Sequence, residues 1–270
     1  ASMIPLFVSI DEERGSVIRL SSDFDSLPSA QSLAKYKEEK RIENSIFRLA
    51  KQMKKVGINL NLSPVLDLST NPKCTVIGDR SLGSNPEKVG SIGKKIISYY
   101  QSNMIAACAK HFPGIGEIHV DPHYELPICD ISEKKLTTRE LIPFKLAFDS
   151  NFNYERVLTV MVGHTIYTKI DPDYISSQSK KIMTKLLREK LSFKGIVLTD
   201  DLDMNAISLN EKNAFKSINA GADITLICNN FKNYEKNYQF LCKKIENLEL
   251  DPETEKKSLE RIIMTKEKVS

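Results

Sequence analysis

The sequence predicts a parallel α/β fold and, within that class, a (β/α)8 barrel. Short apolar runs alternate with longer segments of helical period along all 270 residues, which is the pattern of parallel α/β proteins. Ionisable side chains follow five of the apolar runs. In a barrel the C-terminal ends of the parallel strands converge on one face, where such groups collect, so this second observation favours the barrel over a doubly wound sheet.

The predicted strands and helices follow one another in a regular order. Each strand is a short aliphatic run, and each helix has apolar residues three or four positions apart. The strands are 4–10, 58–68, 105–109, 157–162, 195–198 and 224–228, and the helices are 30–56, 86–103, 133–150, 180–191, 213–220 and 253–268. Asn85 and Ser179 are the expected N-caps of helices 86–103 and 180–191, and Pro86 is the expected first residue of its helix.

Residues 1–270 are expected to form a single barrel domain. No stretch rich in Pro, Gly or Ser interrupts the alternation, and such a stretch would mark a domain boundary. Six βα units are accounted for, whereas a complete barrel needs eight.

Composition excludes several classes of function. The 39 Lys and Arg are interspersed with 35 Asp and Glu, so the formal charge is +4 and no basic stripe for nucleic acid is present. No run of about 18 apolar residues indicates a membrane span, and the first nine residues lack a basic leader. The five cysteines are widely spaced without a CxxC pair, which indicates neither a disulfide framework nor a zinc knuckle. We expect a cytoplasmic protein, or an exported one if a signal sequence precedes Ala1, and leave the oligomeric state open.

The ionisable groups expected on one rim lie at or just past the ends of the predicted strands. They are Asp11, Asp67, Lys110 with His111, His164 and Asp200. Groups delivered by five strands to one face are typical of a catalytic site.

Three of the four histidines lie between positions 111 and 123, in a segment that its prolines and glycines mark as a loop. One interpretation takes Glu117, His119, Asp121 and His123 as metal ligands, because alternate residues of an extended chain share a face. A second is a surface loop with incidental histidines. A third pairs Asp121 with His123 as a carboxylate-oriented imidazole for proton transfer.

The third interpretation requires a partner carboxylate, and the segment 195–204 offers one. Asp200 ends a predicted buried strand and is either a nucleophile or the N-cap of a following helix. For Asp201 and Asp203, helix capping or solvation is the expected role.

Two motifs in the sequence resemble those of a known family. Lys110 to Pro127 is similar to the KHFPGHG…DSH…LP signature of family 3 glycoside hydrolases, in their β-N-acetylglucosaminidase (NagZ-like) branch, and Thr199 to Met204 is similar to the (S/T)DxLxM nucleophile motif. Further stretches in the family's order are 61–67, 78–81, 161–164 with Asp171-Pro172, and 261–268. The resemblance implies a (β/α)8 barrel fold, in agreement with the rim argument.

The resemblance also implies the roles of individual residues. Asp200 would be the nucleophile and His123 the general acid/base, with Asp121 orienting it. The sugar would be held by Asp11, Arg80, Lys110, His111 and His164. A retaining glycosidase needs an anionic nucleophile on one side of the anomeric carbon and a proton donor on the other, and here a histidine would replace the usual carboxylic acid.

The sequence departs from the family pattern at four positions. Arg14 and Ser16 replace a Gly and an Arg of the DxEGGRVxR stretch that begins at Asp11, Ile115 replaces the His of PGHG, and Ile175 stands where Pro is usual. Family members also carry two βα units before the strand that ends at Asp11. Because an open barrel exposes strand edges, we expect those units to be missing from the sequence given.

The expected function is that of a retaining exo-β-N-acetylglucosaminidase that uses no metal or other cofactor. It would remove terminal N-acetylglucosamine from peptidoglycan fragments or chitin-type oligosaccharides through a glycosyl-Asp200 intermediate, with phosphorolysis as a side activity. The alternatives are a metal-dependent hydrolase using the loop ligands and a catalytically impaired sugar-binding relic. The small carbohydrate is the expected partner.

Overall fold

The computed structural model describes residues 5–13, 15–20, 23–25, 27–36, 38–121, 124–149 and 156–270. In chain order the strands are Ser9–Ile10 (β1), Leu60–Asn61 (β2), Ala106–Phe112 (β3), Ile128–Cys129 (β4), Thr159–Val162 (β5), Ile166–Tyr167 (β6), Ile196–Asp201 (β7) and Ile224–Leu226 (β8). The α-helices are Ala30–Leu33 (α1), Glu39–Lys55 (α2), Pro86–Gln101 (α3), Glu133–Lys135 (α4), Ile142–Phe148 (α5), Asn213–Ala220 (α6), Phe231–Glu246 (α7) and Pro252–Lys268 (α8). Two π-helices cover Leu136–Glu140 and Lys181–Lys190.

The main sheet contains six parallel strands in the order β1-β2-β3-β5-β7-β8, and β4 pairs with β6 in a separate parallel pair. This confirms the predicted α/β class. The sheet is a curled half-barrel, and in the described part of the chain no pairing joins β8 to β1. None of the helices described is long and apolar enough to cross a membrane.

Alternate residues of the central strands divide between two apolar clusters, as expected for a sheet covered on both faces. In β3, Ala107 and Ala109 pack with the helices, whereas Ala106 and Cys108 pack on the inner face. Lys110 continues the inner series. In β7, Ile196 and Leu198 lie on the inner face and Asp200 follows them. Pleating therefore aims the polar residues of both strand ends towards the concave side.

Helix α3 forms as its sequence indicates. Asn85 accepts a hydrogen bond from the Lys88 N–H (2.8 Å) as N-cap, and Pro86 is the first helical residue. Val89 and Tyr100 are buried on the predicted face. Likewise the Ser179 hydroxyl accepts from the Ile182 N–H (3.1 Å) at the start of its π-helix.

Several predicted boundaries were wrong. The strand predicted at 58–68 is reduced to β2, because Pro64 has no N–H to donate to a ladder. The helix predicted at 30–56 is divided into α1 and α2, and the one at 133–150 into α4, a π-helix and α5; Ser150 lies outside the described residues. Strand β1 is shorter than the predicted 4–10, of which Ile4 is not described.

Helix α7 was missed because its inward face is polar. Asn233 and Asn237 are buried, while Phe231, Tyr234 and Tyr238 are exposed. The Asn237 side chain accepts from the Ala214 N–H (2.9 Å), so an amide rather than an apolar group joins α7 to α6. A hydropathy pattern does not detect such a helix.

Candidate active site

Lys110 lies at the centre of a buried network of opposite charges. Its side chain is 1% exposed, and Nζ lies 2.5 Å from both Asp11 Oδ1 and Glu13 Oε1. Arg80 makes a bidentate pair with the same Glu13 carboxylate, at 2.7 and 2.8 Å. Two cations and two carboxylates thus neutralise one another. The Glu13 side chain is 3% exposed, whereas that of Asp11 is 35% exposed, so Asp11 is the member of the network open to a ligand.

The charge network changes the ionisation of its members. Burial alone would raise the pKa of Glu13, but the charges and hydrogen bonds of Lys110 and Arg80 outweigh it and hold the pKa well below its usual range. Burial would lower the pKa of Lys110, and the facing carboxylates raise it instead. Glu13, Lys110 and Arg80 are therefore all charged at neutral pH.

His111 is oriented by Asp67. The Asp67 Oδ2 atom lies 2.7 Å from His111 Nδ1 and accepts a hydrogen bond from the His111 backbone N–H (2.9 Å). Its Oδ1 atom accepts from the Ile115 N–H (2.7 Å). On its other side, His111 Nε2 lies 3.3 Å from Arg80 Nη2. Asp67 thereby fixes both the imidazole and the start of the following loop.

Asp200 lies near the end of β7 with a carboxylate that is only lightly engaged. Oδ1 accepts from the Asp201 N–H (2.9 Å), and within the described ranges no hydrogen bond reaches Oδ2. Burial would raise the pKa of Asp200. The field of His111 and His164 and the Asp201 hydrogen bond act in the opposite sense and lower it. The result is an anion on the concave side of the sheet, with one oxygen that accepts no hydrogen bond from the residues described.

The two neighbouring aspartates are fully engaged within the protein. Asp201 accepts from the N–H groups of Asp203 and Cys228 (3.0 Å each) and from the Asn229 side chain (2.9 Å). Asp203 in turn accepts from the N–H groups of Asn229 (2.9 Å) and Asn230 (2.8 Å), and from the Asn233 side chain (2.6 Å). The sequence predicted helix capping or solvation for Asp201 and Asp203. The structure shows in addition that both side chains join the end of β7 to the start of α7.

Both ring nitrogens of His164 are used by the protein. Nε2 lies 3.1 Å from the Asp201 carbonyl and Nδ1 lies 2.7 Å from the Ser177 hydroxyl. A carbonyl only accepts, so Nε2 carries the proton and Nδ1 accepts from the serine. Burial lowers the pKa of His164, in agreement with a neutral ring. This geometry fixes the backbone beside Asp200.

The loop after β3 is anchored through Glu117. Its carboxylate accepts hydrogen bonds from Thr70 Oγ1 (2.8 Å), Lys135 Nζ (3.1 Å) and Arg139 Nη2 (2.6 Å). His119 is exposed and lies 3.2 Å from the Asn71 side chain. His123, the predicted acid/base, lies outside the described residues, and Asp121 ends the described part of the loop.

The metal interpretation of this loop gains no support from its contacts. Glu117 is occupied by a hydroxyl and two cations, and across the described part of the chain no three His, Cys, Asp or Glu side chains come together to hold an ion. The prediction that His111 belongs to the loop was wrong, because it lies inside β3 and is buried.

Sequence reasoning missed Glu13, which joins two of the predicted sugar-holding residues. Its signal was present, since Asp11 and Glu13 are the two acidic positions of the DxE stretch. Two residues next to Glu13 depart from the family pattern. Arg14 lies outside the described residues, and Ser16 donates a hydrogen bond to Asp79 (2.7 Å). Gly15 between them matches the pattern and adopts a φ of 68°.

Comparisons with known proteins identify the family of the chain. The glycosyl hydrolase family 3 N-terminal domain model matches residues 1–265. A beta-hexosaminidase of Haemophilus ducreyi is 34% identical over 233 residues, covering 83% of this chain and 66% of that protein. The structure of a family 3 β-N-acetylglucosaminidase from a Paenibacillus species has a TM-score of 0.93 at 30% identity and covers 98% of this chain and 50% of that one. A fungal multi-domain family 3 β-N-acetylglucosaminidase has a TM-score of 0.95 at 31% identity and covers 99% and 32%.

The chain spans about two thirds of the Haemophilus protein and half or less of the two solved structures. The match nevertheless extends over nearly all of this chain, and it includes the elements that carry Asp11, Arg80, Lys110, His111 and Asp200. The chain therefore belongs to glycosyl hydrolase family 3.

Proposed function

We propose that the chain provides the catalytic domain of a retaining exo-β-N-acetylglucosaminidase. It removes terminal β-linked N-acetylglucosamine from peptidoglycan fragments or chitin-type oligosaccharides. The names of the relatives support the sugar and the reaction class. No cofactor enters the proposed reaction.

The contrast between Asp200 and its neighbours carries the proposal. Asp201 and Asp203 have their oxygens occupied by backbone and amide donors, whereas one oxygen of Asp200 accepts no hydrogen bond from any described residue. A nucleophile must be ionised and must have a lone pair available to the anomeric carbon. Asp200 fulfils both conditions, since its pKa is lowered.

In the first step Asp200 attacks the anomeric carbon and the glycosidic bond breaks. His123 gives its proton to the leaving oxygen, and Asp121 stabilises the imidazolium from which the proton comes. In the second step water attacks the glycosyl ester and returns a proton to His123, so the anomeric configuration is retained. The Glu117 contacts support this assignment, because they anchor the loop that leads directly to Asp121.

Asp11, Arg80, Lys110 and His111 bind the hydroxyls of the sugar. The exposure of Asp11 supports direct contact, and the pairing of Arg80 and Lys110 with Glu13 supports a preorganised set of donors. Glu13 and Asp67 position these groups. We assign His164 to the positioning of Asp200 as well, since both its nitrogens are engaged with the protein.

The complete protein folds as a (β/α)8 barrel in which two more βα units join β8 to β1. Exposed apolar residues in the segments that adjoin the two edge strands in the chain support this closure. Leu6 and Val8 precede β1, and Phe231 and Tyr238 lie on α7, the helix that follows β8.

Hydrolysis of an aryl β-N-acetylglucosaminide by the full-length protein tests the proposal. We expect activity that survives EDTA; loss with EDTA and recovery with zinc would overturn the mechanism. A fluorosugar that traps the intermediate should label the peptide at Asp200. Sugar binding without turnover by the wild type would favour a relic instead.

A further inference from the structure

Glu140 is a buried carboxylate that the proposed reaction does not use. It ends the π-helix Leu136–Glu140, and its side chain is fully buried. Oε1 pairs with Arg139, at 2.6 Å from Nε and 2.5 Å from Nη2. Among the described residues Oε2 has no hydrogen-bond partner although it is buried. Such an atom is costly to leave unsatisfied and calls for a reason.

Glu140 lies directly beneath the loop that leads to the catalytic segment. A Cβ built on Gly114 would lie 3.1 Å from Glu140 Cβ and 3.4 Å from Oε2. Gly114 follows β3 by two residues, and its carbonyl accepts a hydrogen bond from the Tyr167 hydroxyl (2.7 Å). The carboxylate therefore contacts the first turn of the loop 113–121.

Arg139 connects Glu140 to the same loop at a second point. Its Nη2 atom contacts Glu140 Oε1 and also donates to Glu117 Oε1 (2.6 Å). One guanidinium thus serves two carboxylates, of which one belongs to the loop and the other lies under it. A change in the charge of Glu140 therefore changes how strongly Arg139 interacts with Glu117.

The titratable groups that act on Glu140 come from several elements around it. Negative charges come from Glu117 on the loop and Asp67 after β2, and positive charge from Arg139, with Lys135 reaching Glu117 from α4. Two neutral titratable groups, Cys129 on β4 and Tyr167 on β6, complete the surroundings. The cluster has fewer cations than carboxylates when Glu140 is ionised.

We propose that Glu140 is a proton-sensitive positioning residue for the acid/base loop: neutral Glu140 leaves Arg139 to hold Glu117 firmly, and ionised Glu140 weakens that hold. The inference rests on the proposed function only where it concerns catalysis, because the anchoring of the loop is a property of the fold. The position of the loop in turn determines the position of Asp121, which in the proposed reaction orients the acid/base.

Glu140 gains or loses its proton near neutral pH. Burial raises its pKa to about 7, which the neighbouring Arg139 only partly offsets. Glu140 is therefore mostly neutral at pH 6 and mostly ionised at pH 8. The loop should be firmly anchored at the lower pH and more loosely at the higher.

Hydrogen exchange of peptides from the loop 113–121 tests this directly in the full-length protein. After correction for intrinsic rates, wild-type protection should fall about fivefold or more between pH 6 and pH 8. Glu140→Gln, which cannot ionise, should show less than about a twofold change. Glu133→Gln is the matched control, since Glu133 is an exposed carboxylate on the same helical segment, and it should behave as the wild type.

A second measurement reads the effect on catalysis. The alkaline limb of kcat for Glu140→Gln should lie at higher pH than that of the wild type, while KM changes little. Equal wild-type protection at the two pH values would overturn the inference, even if Glu140→Gln did not fold. So would a pH dependence that persists in Glu140→Gln. Absence of hydrolysis would contradict the proposed function alone, because the exchange result would stand.

Discussion

The two sides of the candidate site differ in how completely their charges are paired. On the side of β1 and β3, Lys110 and Arg80 are matched by Glu13 and Asp11, and every contact is 2.8 Å or shorter. At the end of β7, Asp200 keeps one carboxylate oxygen free of hydrogen bonds within the described chain. Asp11 and Asp200 are both partly exposed, so burial alone does not explain the difference.

In the proposed mechanism, this contrast separates the groups that bind the sugar from the group that reacts with it. Buried charges that hold a ligand are stable only when they are paired, and pairing also fixes their directions. A nucleophile cannot be paired in this way, because its lone pair must remain available to carbon. The charge of Asp200 is instead supported from a distance by His111 and Lys110, and by one hydrogen bond from a backbone N–H.

Removal of the proposed nucleophile should have the largest effect. We expect Asp200→Asn to lower turnover on the order of 10⁴-fold or more, because an amide cannot form the glycosyl ester. Thermal stability should not fall, since Asp200 receives one hydrogen bond from the part of the chain that the structure describes. Steady-state kinetics and thermal unfolding measure the two quantities.

Asp203→Asn is the matched control for that change. Asp203 accepts three hydrogen bonds that join β7 to α7, so its substitution should lower the midpoint of unfolding by several degrees, about 1 kcal/mol or more. If Asp203→Asn abolished the covalent intermediate and Asp200→Asn did not, the assignment of the nucleophile would be wrong.

Loss of Glu13 should weaken substrate binding and leave the bound substrate less well oriented. Glu13→Gln removes the charge shared by Arg80 and Lys110, and we expect kcat/KM to fall about 10- to 100-fold, equivalent to about 1.5 to 3 kcal/mol. Arg80→Ala should lower it by a similar factor. Wild-type kinetics in Arg80→Ala would remove that residue from the site.

An exposed ion pair provides the control for this second change. Glu39 pairs with Lys95 at 2.6 Å, but both side chains are more than 40% exposed. Glu39→Gln should leave kcat/KM unchanged and alter stability by less than about 1 kcal/mol, since exposed pairs contribute little. Equal effects of the two substitutions would show that burial does not distinguish the network.

The positions that the sequence predicted well are those where local pattern and chemistry coincide. Asp11, Lys110 and Asp200 follow apolar runs directly, and the alternation of β3 and β7 is enough to orient two of them. Asn85 and Pro86 define the start of α3 through local hydrogen bonding alone. These features depend on few neighbouring residues and can be recognised from the sequence alone.

The features that the sequence did not predict depend on partners distant in the chain. Glu13 is recognised as a site residue only once Arg80 and Lys110, at separations of 67 and 97 positions, are seen around it. The inward amides of α7 and the buried Glu140 resemble exposed polar residues in a hydropathy pattern. The burial of His111 follows from its continuation of β3, which a loop interpretation of Pro113 and Gly114 concealed.

A pH series should sharpen the comparison further. The folded-state pKa of Glu13 is depressed, so its ionisation stabilises the fold above its ordinary value of 4.5, and this contribution is lost as the pH falls below that value. We expect the stability advantage of the wild type over Glu13→Gln to be full at pH 7 and to shrink progressively below pH 4.5. Urea unfolding at several pH values measures it. A difference that stayed constant down to pH 3 would contradict the ionic role of Glu13.

The smallest expected effect concerns the acceptor in the second step. Because the proposed acid/base is an imidazole, it lacks the negative charge with which a carboxylate would repel an incoming anion. Lys110 and Arg80 are neutralised by Glu13 and Asp11, so they neither attract nor repel phosphate strongly. We therefore expect phosphate to compete with water only modestly and to yield N-acetylglucosamine 1-phosphate as a minor product, quantified by phosphorus NMR. In His123→Glu the carboxylate should suppress this product while hydrolysis of an activated aryl glycoside persists. Equal phosphate transfer by both proteins would mean that the charge of the acid/base does not select the acceptor.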